Sequence, residues 1–548
     1  MRASRLVGPA LLALVVTASG LLAAPSGADP GGSHAAPTGG AAVAPTAGPT
    51  SEPAPAPRGN PPRTRVAVMT QNIFYGGDDY DLATGGFCPV SNGCPKALHR
   101  LARIIAVSGT DVVGVQEAEE NTRRLAHLLG WHASPQAHVI SRFPILDPPH
   151  SHGLFTYVEP VPGRVIAVAN THLPSTPYGP YQVRQGASRQ RVLHLERTLR
   201  EAALDPVLAR LPRLAARGIP VFLTGDFNSP SYLDWTRAVA RHRPAVPYAV
   251  RWPASLALAK AGFRDSYRDV HPDPVADPGF TWSPGGPETR RHDFPDRIDW
   301  VLHAGPSRTL SSLLVGEAGN RQVDLAFPRP YPTDHRGVVS TFSVRPAPAP
   351  ALVSPHDRRV VVGSRLRVRF HGSGQAHEVV GLLRGDHLGP PARAVGTAGA
   401  RDGVVSLRTA HLRPGRYRVV LMRSTTMRTE ASAPIWVYGP RSHPRLTSDR
   451  HTYRVGQPIH VRFTRAPGNN LDWIGLYRCR RHCGGVGSYL MYRYTHTDVE
   501  GTVRFSRHDW VGEGSTSWPL PPGQYIARLL LDDGYHAIGR SPRFRVVR

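Results

Sequence analysis

Lysine is almost missing from this chain. Only Lys96 and Lys260 occur, although Lys and Arg together number 66 against 40 Asp and Glu. The +26 charge is therefore nearly all arginine, which fits biased codon usage as readily as selected recognition of anions. Long apolar runs are equally scarce. Beyond Leu6 to Ala24 no apolar stretch is long enough to cross a bilayer as a helix. Cysteine is limited to four residues in two close pairs, Cys88 with Cys94 and Cys479 with Cys483. A lone Cys-x-x-x-Cys with no second pair of ligands is a poor zinc site, so export and proximity favour two local disulfides. Residues 29–62 are nearly all Ala, Pro, Gly, Ser and Thr, too poor in apolar side chains to offset ordering entropy, and read as a disordered linker.

What is present begins with a basic lead, Met1 to Arg5, then the apolar run and small residues through Ala28. This reads as a secretory signal peptide over 1–28, cleaved near Ala24 or Ala28. The remaining length allows two or three domains. Charge is uneven: residues 63–346 carry 32 Arg and Lys against 25 Asp and Glu, whereas 347–548 carry 31 against 13. The positive field thus sits in the tail, where it would attract polyanions such as nucleic acid or an acidic cell surface.

Between 63 and 346, helical and strand patterns alternate. Leu98, Leu101, Ile104 and Ile105 share one helical face, and Ser188 to Arg217 carries Val192, Leu195, Leu199 and Ala203 at helical spacing, with a break at Asp205-Pro206. The short apolar runs end in polar residues. Val221-Phe222-Leu223-Thr224-Gly225 delivers Asp226 and Asn228; Val66 to Gln71 delivers Asn72; Val112 to Gln116 delivers Glu117. Val165 to Thr171 ends on His172, and Asp334-His335 leads into Gly337 to Phe342. In Arg297-Ile298-Asp299-Trp300, Asp299 faces away from its apolar neighbours by the two-residue strand period. Strand ends that present Asn, Glu, His and Asp are opening a cleft, because such groups do not stay buried without partners.

These motifs, in this order over about Thr64 to Val344, resemble the endonuclease/exonuclease/phosphatase superfamily. The resemblance implies an α/β fold, a four-layer α/β sandwich of two packed mixed sheets flanked by helices, and a metal-dependent hydrolase of phosphate esters. It implies that Glu117 is the principal metal ligand, with Asn72 beside it and Asp334 nearby. Such hard oxygen donors suit Mg²⁺ or Mn²⁺ rather than zinc. Asp299 and His335 form a carboxylate–imidazole pair, with His335 either a general base or a cationic clamp on phosphate. Asp226 positions or activates water, Asn228 donates to the phosphate, and His172 is a second imidazole at the phosphoryl oxygens. Arg142 reads as structural. The substrate expected first is nucleic acid; a sphingomyelinase-like or sugar/inositol phosphoesterase comes next, then a non-catalytic cell-surface binding protein. A monomer is expected.

After the Pro-Ala repeats around Pro346 the helical period disappears and an internal repeat begins. Val362-Gly363 followed by Val368-Arg369-Phe370 matches Val455-Gly456 followed by Val461-Arg462-Phe463, and Pro414-Gly415-Arg416-Tyr417 matches Pro522-Gly523-Gln524-Tyr525. Short alternating strands with Pro-Gly turns predict two immunoglobulin-like β-sandwiches over 352–440 and 445–548, making all-β domains behind the α/β region. Arg365, Arg367 and Arg369 would line one face of a strand, either as a solvated face or as a surface for phosphate-bearing polymers.

Overall fold

A computed structural model describes residues 63–78, 80–81, 86–87, 95–282, 295–386, 389–506, 510–511 and 518–548. The expected signal peptide, the linker and the Cys88–Cys94 pair lie outside these residues. Among them, no helix is long and apolar enough to cross a membrane.

Two sheets organise residues 63–348. The strands that matter are β1 (Thr64–Asn72), β2 (Val112–Gln116), β3 (Arg164–His172), β4 (Val221–Asp226), β5 (Asp299–Ala304) and β6 (Gly337–Val344). In the first sheet the order is Leu325–Phe327, Ser307–Glu317, β6, β1, β2, Val139–Ser141, His132–Ser134. In the second it is Arg264–Asp265, β5, β4, β3, Phe155–Val161, Ile145–Leu146. Both are mixed: β1 runs parallel to β2 and antiparallel to β6, and β4 runs parallel to β3 and antiparallel to β5.

The period of two sorts each strand's side chains between faces. Val66 and Val68 of β1, Val112 of β2, Ile166 and Val168 of β3, Phe222 of β4, Val301 of β5 and Val338 and Phe342 of β6 share one apolar cluster. The alternate residues pack against helices instead. Ala67, Met69, Val113 and Val115 meet α1 (Pro95–Val107) and α2 (Thr122–Leu129). Val221, Leu223, Trp300 and Leu302 meet α3 (Asp205–Ala216) and α4 (Pro253–Lys260). The helical run expected from Ser188 to Arg217 is interrupted just before Asp205, and Pro206 falls in the first turn of α3, where its missing N–H has no helical partner to lose. Its inward face also holds a fully buried ion pair, Arg200 Nη1 to Glu196 Oε1 at 2.6 Å, which the apolar pattern did not reveal.

Moving along the inner faces, the shared apolar cluster gives way to a layer of amides and hydroxyls. Gln116 Nε2 donates to Thr70 Oγ1 at 3.1 Å and to Asn170 Oδ1 at 2.5 Å, and Thr224 Oγ1 donates to the same Asn170 oxygen at 2.9 Å. This buried network is closed, as burial of polar groups requires. Gly114 makes room for it. A Cβ there would stand 1.8 Å from Thr224 Oγ1 and 2.6 Å from Asn170 Oδ1, so any side chain would break the layer.

Residues 352–548 contain strands and no named helix among the described residues. A sheet of Leu352–Pro355, Arg365–His371 and Asp402–Arg408 faces one of Arg359–Val361, Thr429–Tyr438, Gly415–Arg423, Glu378–Arg384 and Arg393–Gly396, with Leu366, Val368, Val380 and Val419 in a common core. The second copy repeats the strand order, down to the parallel edge pairing of Thr452–Arg454 with Phe544–Val547, and carries the Cys479–Cys483 disulfide. Leu366, Val368 and Phe370 point into the core while Arg365 and Arg367 are exposed and Arg369 is half-buried.

Overpacking of a filled interior costs about 1–3 kcal/mol, more where polar partners are also lost. Gly114→Val is therefore expected to lower the unfolding free energy by about 3 kcal/mol or more in urea denaturation, with or without added metal. A loss below about 0.5 kcal/mol would show that the layer yields freely.

Candidate active site

The site forms where the inner faces run out of apolar residues. Sheet register decides which groups meet. Asp226 at the end of β4 lies directly opposite His172 of β3 on one side and Asp299 of β5 on the other. Side chains at matched positions share a face, so an imidazole, a carboxylate and a carboxylate stand in a row. On the facing sheet, Asn72 pairs with Gln116, the residue before Glu117. Glu117 itself is past the strand end and adopts a left-handed backbone (φ 51°), as does Asn228 (φ 47°). Non-glycine residues in that region are strained, and such strain gathers at functional sites.

Asn72 joins the sheets. Its Nδ2 donates to Glu117 Oε1 at 3.0 Å and to Asp226 Oδ2 at 3.1 Å, while its Oδ1 accepts the Phe74 N–H at 2.9 Å. The other Glu117 oxygen accepts the Tyr75 N–H at 2.9 Å. Asp226 Oδ1 accepts the Asn228 N–H at 2.8 Å, and the Asn228 side chain donates to the Leu173 carbonyl at 2.9 Å. His172 Nε2 lies 3.6 Å from Asp226 Oδ2 and 4.0 Å from Glu117 Oε1.

His335 is buried and ringed by acids. Its Nδ1 is 2.9 Å from Asp299 Oδ2, and its Nε2 is 3.6 Å from Asp226 Oδ2 and 3.9 Å from Asp334 Oδ1. Burial alone would lower the imidazole pKa; the three carboxylates, Asp299 foremost, outweigh it and hold the ring well above its ordinary value. The Asp226 carboxyl is raised by burial, opposed by the two imidazoles. Asp334 is pushed up to about 6, mainly by burial, with Glu117 adding to the rise.

All eight residues expected at the site are therefore gathered at one end of the two sheets. Sequence pattern overlooked three supports. Thr333 Oγ1 donates to the Asn72 carbonyl at 2.8 Å and accepts the His335 N–H at 3.2 Å. Thr281 Oγ1 accepts the N–H groups of Ile298 and Asp299, both at 3.1 Å. Trp282 bridges to the His335 backbone and donates its indole N–H to Asp334. These residues stand in loops, where no period marks them. Arg142 is outside the cluster, 3.6 Å from Asp111 and over the Trp131 ring.

Two sets of atoms could hold a divalent cation. Asp226, Asp299 and His335 present ligand atoms all within 4.8 Å of one another. Glu117 and Asp334 offer further hard oxygens beside Asp226, the first sharing the Asn72 amide with it and the second the Nε2 of His335. Asp299 Oδ1 and Asp334 Oδ1 are both buried with no hydrogen-bond partner, the mark of a carboxylate awaiting a further ligand. The donor chemistry fits an oxygen-seeking ion.

Carboxylates and a buried imidazole gathered at one end of the sheets suit one class of chemistry, metal-assisted hydrolysis of a phosphoester. Residues 69–335 match the model of the Endonuclease/Exonuclease/phosphatase family, which supports that class. The Caenorhabditis elegans protein "Uncharacterized protein F14F9.5" is 27% identical over 303 residues, spanning 51% of this chain and 91% of its own length. An AP endonuclease from Archaeoglobus fulgidus overlays with a TM-score of 0.30 at 15% identity, covering 50% of this chain and 98% of its own. An endonuclease/exonuclease/phosphatase family protein from Bacteroides thetaiotaomicron gives 0.30 at 13% identity, covering 52% and 98%.

The His335–Asp299 pair carries a pH signature. Since the folded pKa lies above the unfolded value of about 6.5, its stabilisation is full below that value and is lost as pH rises through the folded pKa. In EDTA, the His335 ring is expected to titrate above 6.5 by NMR and to fall toward 6.5 in Asp299→Asn. Unchanged titration in the variant would contradict the pairing.

Proposed function

We propose that this chain is an exported, Mg²⁺- or Mn²⁺-dependent phosphodiesterase built on a four-layer α/β sandwich with two accessory immunoglobulin-like domains. The observation that carries the reading is the row His172–Asp226–Asp299 facing Asn72 and Glu117 across the sheets, with His335 in their midst. Glu117 and Asp334 would hold the cation, which would supply polarisation of the phosphoryl group and stabilisation of the leaving oxyanion. Asn72 belongs to the same set through its hydrogen bonds to Glu117 and Asp226.

The chain's own groups do the rest. Asp226, oriented by the Asn228 N–H and the Asn72 amide, accepts a proton from the attacking water. His335 is the cationic clamp of the two roles open to it: Asp299 fixes Nδ1, so Nε2–H is left to donate to a phosphoryl oxygen. His172 donates to a second oxygen, and the remaining Asn228 amide hydrogen to a third. Burial of this set strengthens each of these contacts.

Nucleic acid is the first substrate class. Its support is the arginine-rich tail and the half-buried rings of Tyr181 and Trp282, 6.4 Å between centroids and the latter bridged to His335, which bases could reach. A lipid or sugar phosphodiester is the second, favoured by the Asp533 carboxyl close to His172 and by the exposed Glu120 shortly after Glu117, carboxylates that a polyanion would meet. Export is supported by the Cys479–Cys483 disulfide and by the N-terminal pattern.

Purified protein is expected to hydrolyse plasmid DNA, RNA or a chromogenic phosphodiester with Mg²⁺ and not with EDTA, with sphingomyelin run alongside. Asp226→Asn and His335→Ala are each expected to lose about 10²–10⁴-fold in kcat. Turnover confined to sphingomyelin or the small ester would move the substrate to the second class. No turnover on any of the four would overturn the enzyme reading in favour of a binding protein.

A further inference from the structure

The accessory region is not merely tethered to the catalytic one. One turn of its second copy, residues 531–536, packs on the segment that follows β2 and presents Glu117. A Cβ added at Gly534 would stand 3.3 Å from both the Cβ and Oε2 of Glu119, so the turn lies close against that side chain. His536 Nδ1 lies 3.0 Å from Glu120 Oε1. Asp532 Oδ1 lies 2.9 Å from His138 Nε2 in a buried pair. The His138 carbonyl in turn accepts the Val115 N–H at 2.9 Å, two residues before Glu117. The His172 imidazole is among the neighbours of the Asp533 carboxyl, and Tyr75, whose N–H holds Glu117 Oε2, is among those of Tyr535.

Both sides of this contact are bent into left-handed backbone. Glu117 and Glu119 have φ of 51° and 48°, and Asp532 and Asp533 have 47° and 65°. Such conformations persist only where surrounding structure over-determines them. The accessory turn is itself stiff. The Asp472 carboxylate accepts the N–H of Asp532 at 3.1 Å and that of Asn469 at 3.0 Å. The Trp473 indole donates to the Gly534 carbonyl at 3.0 Å, and the Asp533 N–H to the Leu471 carbonyl at 2.8 Å. A braced turn is thus set against a strained one.

We propose that the 531–536 turn of the second accessory copy is a positioning element for the catalytic cation: by bracing the Glu117–Glu120 segment and β2, it holds the Glu117 carboxylate in its ligating place. His138, Asp532 and Gly534 are positioning residues that act through Glu117. The accessory region then sets cation affinity from outside the catalytic sheets. The inference rests on Glu117 as a cation ligand.

Mn²⁺ binding to the full-length chain, followed by calorimetry and by the EPR signal of free Mn²⁺, tests it. Supports of this kind change metal affinity about 10–100-fold. His138→Ala and the wedge Gly534→Val are expected to weaken Mn²⁺ by that factor while the melting profile without metal stays cooperative. Asp532→Asn, which keeps a hydrogen bond, is expected to lose less than Asp532→Ala. Saturating Mn²⁺ should restore kcat in the variants, which a general loss of fold would not permit. Arg358→Ala, which cuts the Thr497 and Pro149 contacts far from Glu117, serves as the control for loosened docking alone and should bind normally. Should His138→Ala fail to fold, Gly534→Val and Asp532→Asn carry the test. Wild-type affinity in these variants, with binding abolished in Glu117→Gln, would overturn the inference and leave the phosphodiesterase reading intact. Undiminished Mn²⁺ binding in Glu117→Gln would remove the ligand assignment and the inference with it.

Discussion

The register that pairs His172, Asp226 and Asp299 across three strands is the constraint on which the catalytic region depends. A slip of one residue on any of them would turn its polar end to the helix side and exchange the residues packed between the sheets with those packed on the helices. The slip is prevented further down the strands, where Val66, Val68, Ile166, Val168, Phe222 and Val301 fill the space between sheets. The same alternation that buries these valines therefore delivers the acids. Stability and site are two ends of one pattern.

Between them lies the amide and hydroxyl layer of Thr70, Gln116, Asn170 and Thr224. Carboxylates placed directly on an apolar core would be driven to their neutral form by desolvation. The layer supplies dipoles at the base of the acid cluster, and Asn72 and the imidazoles supply donors at its top. The balance is visible in the opposed influences on Asp226, where burial raises the carboxyl and His335 and His172 lower it. The unpartnered oxygens of Asp299 and Asp334 mark where the compensation stops.

Much of this was legible in the sequence because strand ends announce themselves: an apolar run that breaks into Asp226, Glu117 or His172 has no reason to do so in a plain core. The eight residues could be gathered on that ground. What joins them was not legible. Pairing order follows from long-range contacts, so nothing in the local pattern says that β4 lies between β3 and β5. Thr281, Trp282 and Thr333 act through loop geometry and carry no period. The Glu196–Arg200 pair sits on a face read as apolar, because two opposite charges one turn apart can be buried together and the pattern of neighbours does not reveal it. Asn72 was expected as an oxygen ligand, yet it directs its amide nitrogen at both carboxylates, an orientation fixed by the Phe74 N–H on its oxygen. The accessory strands were readable from alternation and Pro-Gly turns, but their contact with the Glu117 segment was not, since it joins residues about four hundred positions apart.

Asp226 as proton acceptor and His335 as clamp, held 3.6 Å apart between the sheets, are proposed to serve one and the same transition state. A kinetic cycle of Asp226→Asn, His335→Gln and the double variant on a soluble phosphodiester at saturating Mg²⁺ tests this most directly. Residues that act as a unit are strongly non-additive, so the double variant should be about as slow as the slower single one. Additive losses, with the double variant slower by the product of the two single effects, would contradict the shared role and return the two residues to independent tasks.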